Sequence, residues 1–239
     1  MKVNTEYIQL QEDLILECGQ VIENPVVAYQ SYGRLNEDHS NVILVCHALS
    51  GDAHAAFESE ETGQLGWWDK AIGPNKAINT DRFFVLTMNC LGSCKGTTGP
   101  QSINPKTNKK YGMTFPVITI KDMVRCQKMA IDHLGIKKIY CAIDPSMGGM
   151  QVLEWAINYS DIIEKIVCIA TTSKLSPQAL SFGAVGRHSI VSDVNWNKGN
   201  YQDNLPEKGL ARKPSGDALL HSGHSVCRAC LGDPETALG

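Results

Sequence analysis

Apolar positions along this chain fall into short unbroken runs separated by stretches of helical period. The runs are Asn41-Val42-Ile43-Leu44-Val45-Cys46, Phe83-Phe84-Val85-Leu86-Thr87-Met88, Lys138-Ile139-Tyr140-Cys141-Ala142-Ile143, and the segment from Ile163 to Ala170. Continuous apolarity without alternation is what a strand covered on both faces requires. Between the second and third runs, Thr119 followed by Asp122 has the form of a capping box. Ile120, Val124, Ile131 and Leu134 then share one helical face, and Gly135 supplies a stop. Met147 to Asn158 predicts a second helix with Met150, Leu153 and Ile157 on its inner stripe. Strand, helix, strand, helix, strand in that order predicts a mostly parallel sheet flanked by helices. Val26-Val27-Ala28-Tyr29 with Gly33 suits an antiparallel hairpin leading into it.

Composition narrows the function classes. The 239 residues carry 22 Lys+Arg against 25 Asp+Glu, a net charge of −3, which leaves no basic surplus for nucleic acid. No apolar stretch approaches the roughly 20 residues that cross a bilayer, and the chain turns polar from Lys2 onward. These features predict a cytoplasmic protein with no membrane or nucleic-acid partner. Nine cysteines are present; Cys46, Cys141 and Cys168 lie inside apolar runs and read as reduced thiols packed in a core.

The stretch that carries chemistry is Ile143-Asp144-Pro145-Ser146-Met147-Gly148-Gly149. A serine between a buried strand and a helix has the arrangement of the nucleophile elbow of α/β hydrolases. The sharp turn lifts the hydroxyl above the sheet edge, and the N–H of the next residue, Met147, points where a carbonyl oxygen gains negative charge. The pattern is commonly G-x-S-x-G. Here Gly148 is present, but Asp144 stands in the first glycine's place, so a larger, charged side chain must fit against a neighbouring strand. The run ending at Cys46 continues into His47-Ala48-Leu49-Ser50-Gly51-Asp52, the position of the loop that donates the second oxyanion N–H in such folds. His47 reads as a packed loop histidine.

Longer motifs extend the match. His47-Ala48-Leu49-Ser50-Gly51-Asp52-Ala53-His54, Gly66-Trp67-Trp68-Asp69, Asn89-Cys90-Leu91-Gly92-Ser93-Cys94 and Gly96-Thr97-Thr98-Gly99-Pro100 occur in that order. They are followed by Ser146-Met147-Gly148-Gly149-Met150-Gln151, Leu153-Glu154-Trp155 and Asn204-Leu205-Pro206-Glu207-Lys208-Gly209-Leu210. Together they resemble the homoserine O-acetyltransferase family as far as about Ala211. The resemblance implies an α/β-hydrolase fold, an acetyl group taken from acetyl-CoA onto Ser146, and its transfer to the side-chain hydroxyl of L-homoserine in methionine biosynthesis. It implies backbone N–H groups of Leu49 and Met147 as the oxyanion hole, Arg212 as a substrate-binding residue, and a cytoplasmic homodimer. Acetyl-CoA would be a co-substrate, with no bound cofactor and no metal.

The resemblance leaves the triad acid and base unplaced. After Ser146 the histidines are His188, His221 and His224, and none falls where the family's base lies. From Lys213 to Gly239 the chain contains no Ile, Asn or aromatic residue. We therefore expect residues 1–212 to form a partial α/β-hydrolase core, lacking the C-terminal strands and most of the lid. Residues 213–239 are expected to be an anomalous tail translated out of frame. His221-x-x-His224-x-x-Cys227-x-x-Cys230 in that tail has zinc-ligand types, but its pairs are too nearly contiguous for the usual paired-ligand spacing. Alternatives at this stage are an O-succinyltransferase of homoserine or serine with the same fold, a hydrolase, and a non-catalytic fragment.

Overall fold

The computed structural model describes residues 1–201 and 204–211. Its centre is one six-stranded sheet. In chain order the strands are β1 (Glu6–Gln9), β2 (Val26–Tyr32), β3 (Val42–Val45), β4 (Phe84–Met88), β5 (Ile139–Pro145) and β6 (Ile163–Ile169). The spatial order is β6-β5-β3-β4-β2-β1. Strands β6, β5, β3 and β4 are mutually parallel, whereas β2 runs antiparallel to β4 and to β1. The four apolar runs thus form the parallel strands, and the early segment forms the antiparallel edge, as their patterns predict.

Alternation along β3 shows how the sheet divides two cores. Val42 and Leu44 point into one cluster with Leu86, Ala130, Ile131, Val152 and Trp155. Ile43 and Val45 point into another with Tyr32, Ala55, Ala56, Ile72, Ile78 and Val85. Successive side chains of a strand face opposite ways, so a run buried at every position needs cover on both sides. Helices α1 (Ile120–His133) and α2 (Ser146–Asn158) contribute to the first cluster. Residues 55–78 of the connection between β3 and β4 contribute to the second.

Helix α1 begins with the predicted capping box: the Thr119 hydroxyl accepts from the Asp122 N–H, and the Asp122 carboxylate accepts from the Thr119 N–H at 3.0 Å. It stops before Gly135, whose φ of 68° lies in the left-handed region that glycine adopts without steric cost. Beyond β6 lie α3 (Pro177–Val191), capped by the Ser176 side chain, and the short α4 (Glu207–Ala211).

Two sequence expectations are corrected here. The buried side of α2 is not Met150, Leu153 and Ile157; it is Met147, Gly148, Gly149, Gln151, Val152 and Trp155, while Ile157 is 74% exposed. Apolar period alone missed it because the buried stripe contains a glutamine and two glycines. Cys168 is not a core thiol either but an exposed one, because among the described residues β6 is the outermost strand of the sheet. Cys46 and Cys141 are buried as expected. Arg212 and the 213–239 tail, with His221, His224 and the Cys227/Cys230 pair, lie outside the described residues.

Candidate active site

Strand β5 delivers Ser146 to the sheet edge. Pro145 ends the strand and is the N-cap residue of α2, so Ser146 is at once the corner and the first helical residue. Its φ is 56°, a left-handed conformation that costs a non-glycine residue about 1–2 kcal/mol. Ser146 is solvent-exposed. A strained, exposed serine between a buried strand and a helix is the arrangement that the motif predicts.

Three contacts hold the corner in that conformation. The Thr171 hydroxyl, just past β6, donates to the Ser146 carbonyl at 2.7 Å. Gly149 faces the same threonine: a Cβ there would lie 2.6 Å from Thr171 Cβ. Gly148 faces Asp144, and a Cβ there would lie 2.3 Å from Asp144 Oδ1. Both glycines are therefore required by the closeness of what they face, whichever way their φ angles fall.

Asp144 fits where the sequence pattern has glycine by being completely buried. Neither carboxyl oxygen has a hydrogen-bond partner among the described residues. Desolvation pushes its pKa up to about 8, since burial disfavours the charged form. The group is thus largely protonated at neutral pH.

The second candidate element is the loop after β3. His47 is buried, its Nδ1 lies 2.8 Å from the Ala48 carbonyl, and its Nε2 accepts from the Cys90 N–H at 2.9 Å. An acceptor at Nε2 places the proton on Nδ1 in a neutral ring. Burial lowers the His47 pKa, which favours that neutral state. His47 is accordingly a packed loop histidine. Leu49, two residues on, is partly buried, and its N–H makes no hydrogen bond among the described residues.

No described side chain hydrogen-bonds the Ser146 hydroxyl. His39 contacts the Gly135 carbonyl, His54 contacts Gln30 and Gln64, and His188 lies on α3 beside Ser192. Among the described residues no group of three or more His, Cys, Asp or Glu could hold a metal ion. Within the same residues no helix is long and apolar enough to cross a membrane.

Sequence reasoning overlooked a buried amide pair, Gln127 and Gln151, which connects the loop to α2. The signal was present: Gln127 lies three residues after Val124 and four before Ile131, and Gln151 lies four before Trp155. A polar residue at core spacing must be satisfied inside the protein.

Comparison with known proteins agrees with this geometry. Residues 41–211 match the family model described as alpha/beta hydrolase fold. A homoserine O-acetyltransferase of Methanohalobium evestigatum is 53% identical over 210 residues, covering 87% of this chain and 43% of that protein. The crystal structure of homoserine O-acetyltransferase from Bacillus anthracis superposes with a TM-score of 0.82 at 35% identity, covering 88% of this chain and 58% of that one. The structure of esterase E22 gives 0.80 at 38% identity, covering 87% and 59%. The chain therefore spans less than half the length of that curated relative.

Proposed function

The chain belongs to the α/β hydrolase fold family, and from that premise we propose that Ser146 is the nucleophile of an acetyl transfer from acetyl-CoA to L-homoserine. The observation that carries this reading is the left-handed φ of 56° at an exposed serine joining β5 to α2. Motif similarity and the homoserine O-acetyltransferase relatives supply the substrates. Acetyl-CoA acts as co-substrate, with no resident cofactor.

The reaction has two steps. Ser146 Oγ attacks the thioester carbonyl, an O–C bond forms, the C–S bond breaks, and coenzyme A leaves as the thiol with the serine proton. The homoserine hydroxyl then attacks the acetyl ester, and its proton returns to Ser146 as O-acetylhomoserine departs. In each tetrahedral intermediate the N–H groups of Leu49 and Met147 stabilise the oxyanion. Arg212 would hold the homoserine carboxylate. The proton carrier is assigned to none of the described residues. By the same resemblance the working form is a cytoplasmic homodimer.

The test is intact-mass measurement of the purified chain with acetyl-CoA, with and without homoserine. A gain of one acetyl group on Ser146, discharged by homoserine and absent in Ser146→Ala, is expected. No gain, or a gain that persists in Ser146→Ala, overturns the assignment. Discharge to acetate at the same rate without homoserine would favour the hydrolytic reading, for which esterase E22 is the structural likeness. Labelling by succinyl-CoA in place of acetyl-CoA would change the donor and keep the serine.

A further inference from the structure

The two proposed oxyanion donors sit on different elements, and one side chain spans them. We propose that Gln151 is a positioning residue that fixes the Leu49 loop against the first turn of α2. Its importance for catalysis rests on the acyl-transfer reading above; the tether itself does not.

The argument is directional. The indole N–H of Trp155 donates to Gln127 Oε1 at 2.8 Å. Indole can only donate, so the carbonyl end of Gln127 is fixed toward Trp155 and its amide end points away. That amide Nε2 donates to Gln151 Oε1 at 2.7 Å. Gln151 is oriented in turn, and its own Nε2 donates to the His47 carbonyl at 3.2 Å, with the Met147 carbonyl at 3.5 Å. Reversing either amide would set N–H against N–H inside the core. Trp155, Gln127, Gln151 and His47 are all 2% exposed or less, so water cannot repair a mismatch.

The far end of this chain of donors is the loop that carries Leu49. His47 is held at three points: its carbonyl by Gln151, its Nε2 by the Cys90 N–H at the end of β4, and its Nδ1 against the Ala48 carbonyl. The Ala48 carbonyl also accepts from the Gly51 N–H at 2.9 Å, closing the turn around Leu49. The Cys90 thiol donates to Gln151 Oε1 at 3.3 Å, so the same glutamine also meets the β4 end. Gln151 therefore ties the loop after β3 to the helix that starts at the serine. A donor held in place before reaction stabilises developing charge better than one that must reorganise.

Amide hydrogen exchange by NMR tests the tether without needing turnover. The Gly51 and Cys90 amides report on the loop, and the Val85 and Leu86 amides on the sheet. In Gln151→Met, Gly51 and Cys90 are expected to exchange at least about tenfold faster, with Val85 and Leu86 within about twofold of the parent. Unchanged loop amides, or an equal rise at all four, would overturn the proposal. Should Gln151→Met fail to fold, Trp155→Phe keeps a smaller aromatic ring and removes the N–H that orients Gln127. It is expected to speed the same two amides about threefold, and no selective change would again overturn the tether.

Acetylation of Ser146 is read separately. A rate at least about tenfold lower in Gln151→Met, with the half-saturating acetyl-CoA concentration within about threefold, supports the positioning role. An undiminished rate despite a loosened loop refutes it. A parent chain that takes no acetyl group while showing the loop-selective exchange supports the tether and counts against the acyl-transfer reading.

Discussion

The carboxyl group of Asp144 fills the space that a side chain at residue 148 would need: a Cβ added to Gly148 would lie 2.3 Å from Asp144 Oδ1. The missing glycine of the motif and the glycine that remains are thus one packing unit. A larger side chain on the strand is accommodated because the helix has none opposite it.

Gly148→Ala should therefore destabilise the chain by about 2 kcal/mol or more through overpacking. In an Asp144→Gly background the same change should be neutral or stabilise by up to about 1 kcal/mol, because alanine is the better helix former once there is room. Urea denaturation of the four proteins measures the coupling. Equal costs in both backgrounds would mean that residue 148 does not pack on Asp144.

Asp144 also gives the elbow a pH dependence of definite sign. Its pKa is raised by burial from 3.8 to about 8, so between those values the folded chain holds a proton that the unfolded chain has released. Stability from this group falls as pH rises through that window and levels off above about 8, with a limiting slope of about 1.4 kcal/mol per pH unit. Asp144→Asn should be more stable than the parent at pH 7.5, and the advantage should shrink toward pH 4. Parallel stability curves for the two proteins would show that the carboxyl ionises freely in the folded state.

Strain at Ser146 predicts an inversion of stability and function. Ser146→Gly relieves the left-handed φ of 56° and should raise stability by about 1 kcal/mol, while removing the hydroxyl that the proposed acetyl capture needs. Ser146→Ala loses the hydroxyl and keeps the strain, so its melting temperature should stay near that of the parent. A glycine variant no more stable than the alanine variant would indicate an unstrained corner.

The outer strand β6 makes self-association testable. Ile166, Val167 and Ile169 are 39%, 41% and 39% exposed on a strand that has one unpaired edge among the described residues. Exposed apolar edges template pairing between chains, and lysine on such an edge opposes it. Val167→Lys should lower light scattering at a given protein concentration, with little effect on the fold. Scattering that does not respond would show that this edge drives no association.

How much of this was legible beforehand depended on whether a residue's neighbours are local. The parallel strands, the Thr119–Asp122 cap and the Gly135 stop follow from contacts within one element, and each was readable from spacing. The elbow was readable because its strand, corner and helix are consecutive. Met150 and Ile157 misled because an apolar period says which residues could be inside, whereas sheet position decides which are. Cys168 misled for the same reason: its apolar run lies on the strand that is outermost among the described residues, with no second strand beside it there. The amide chain from Trp155 to His47 joins residues 108 positions apart, and pairings of that kind leave only a polar residue at core spacing as their trace.

The described residues place a hydroxyl at a corner and a clamped main-chain donor beside the neighbouring strand, with no side chain among them bonded to that hydroxyl. Two contributions that enzymologists ordinarily measure as a single rate, the pull of fixed dipoles on a developing anion and the removal of a proton, come apart in such an arrangement. On the proposed reading, the part of Ser146's speed toward an activated ester that the described residues supply, compared with free serine in water, would come from the dipoles and from holding the ester in place, and not from proton removal.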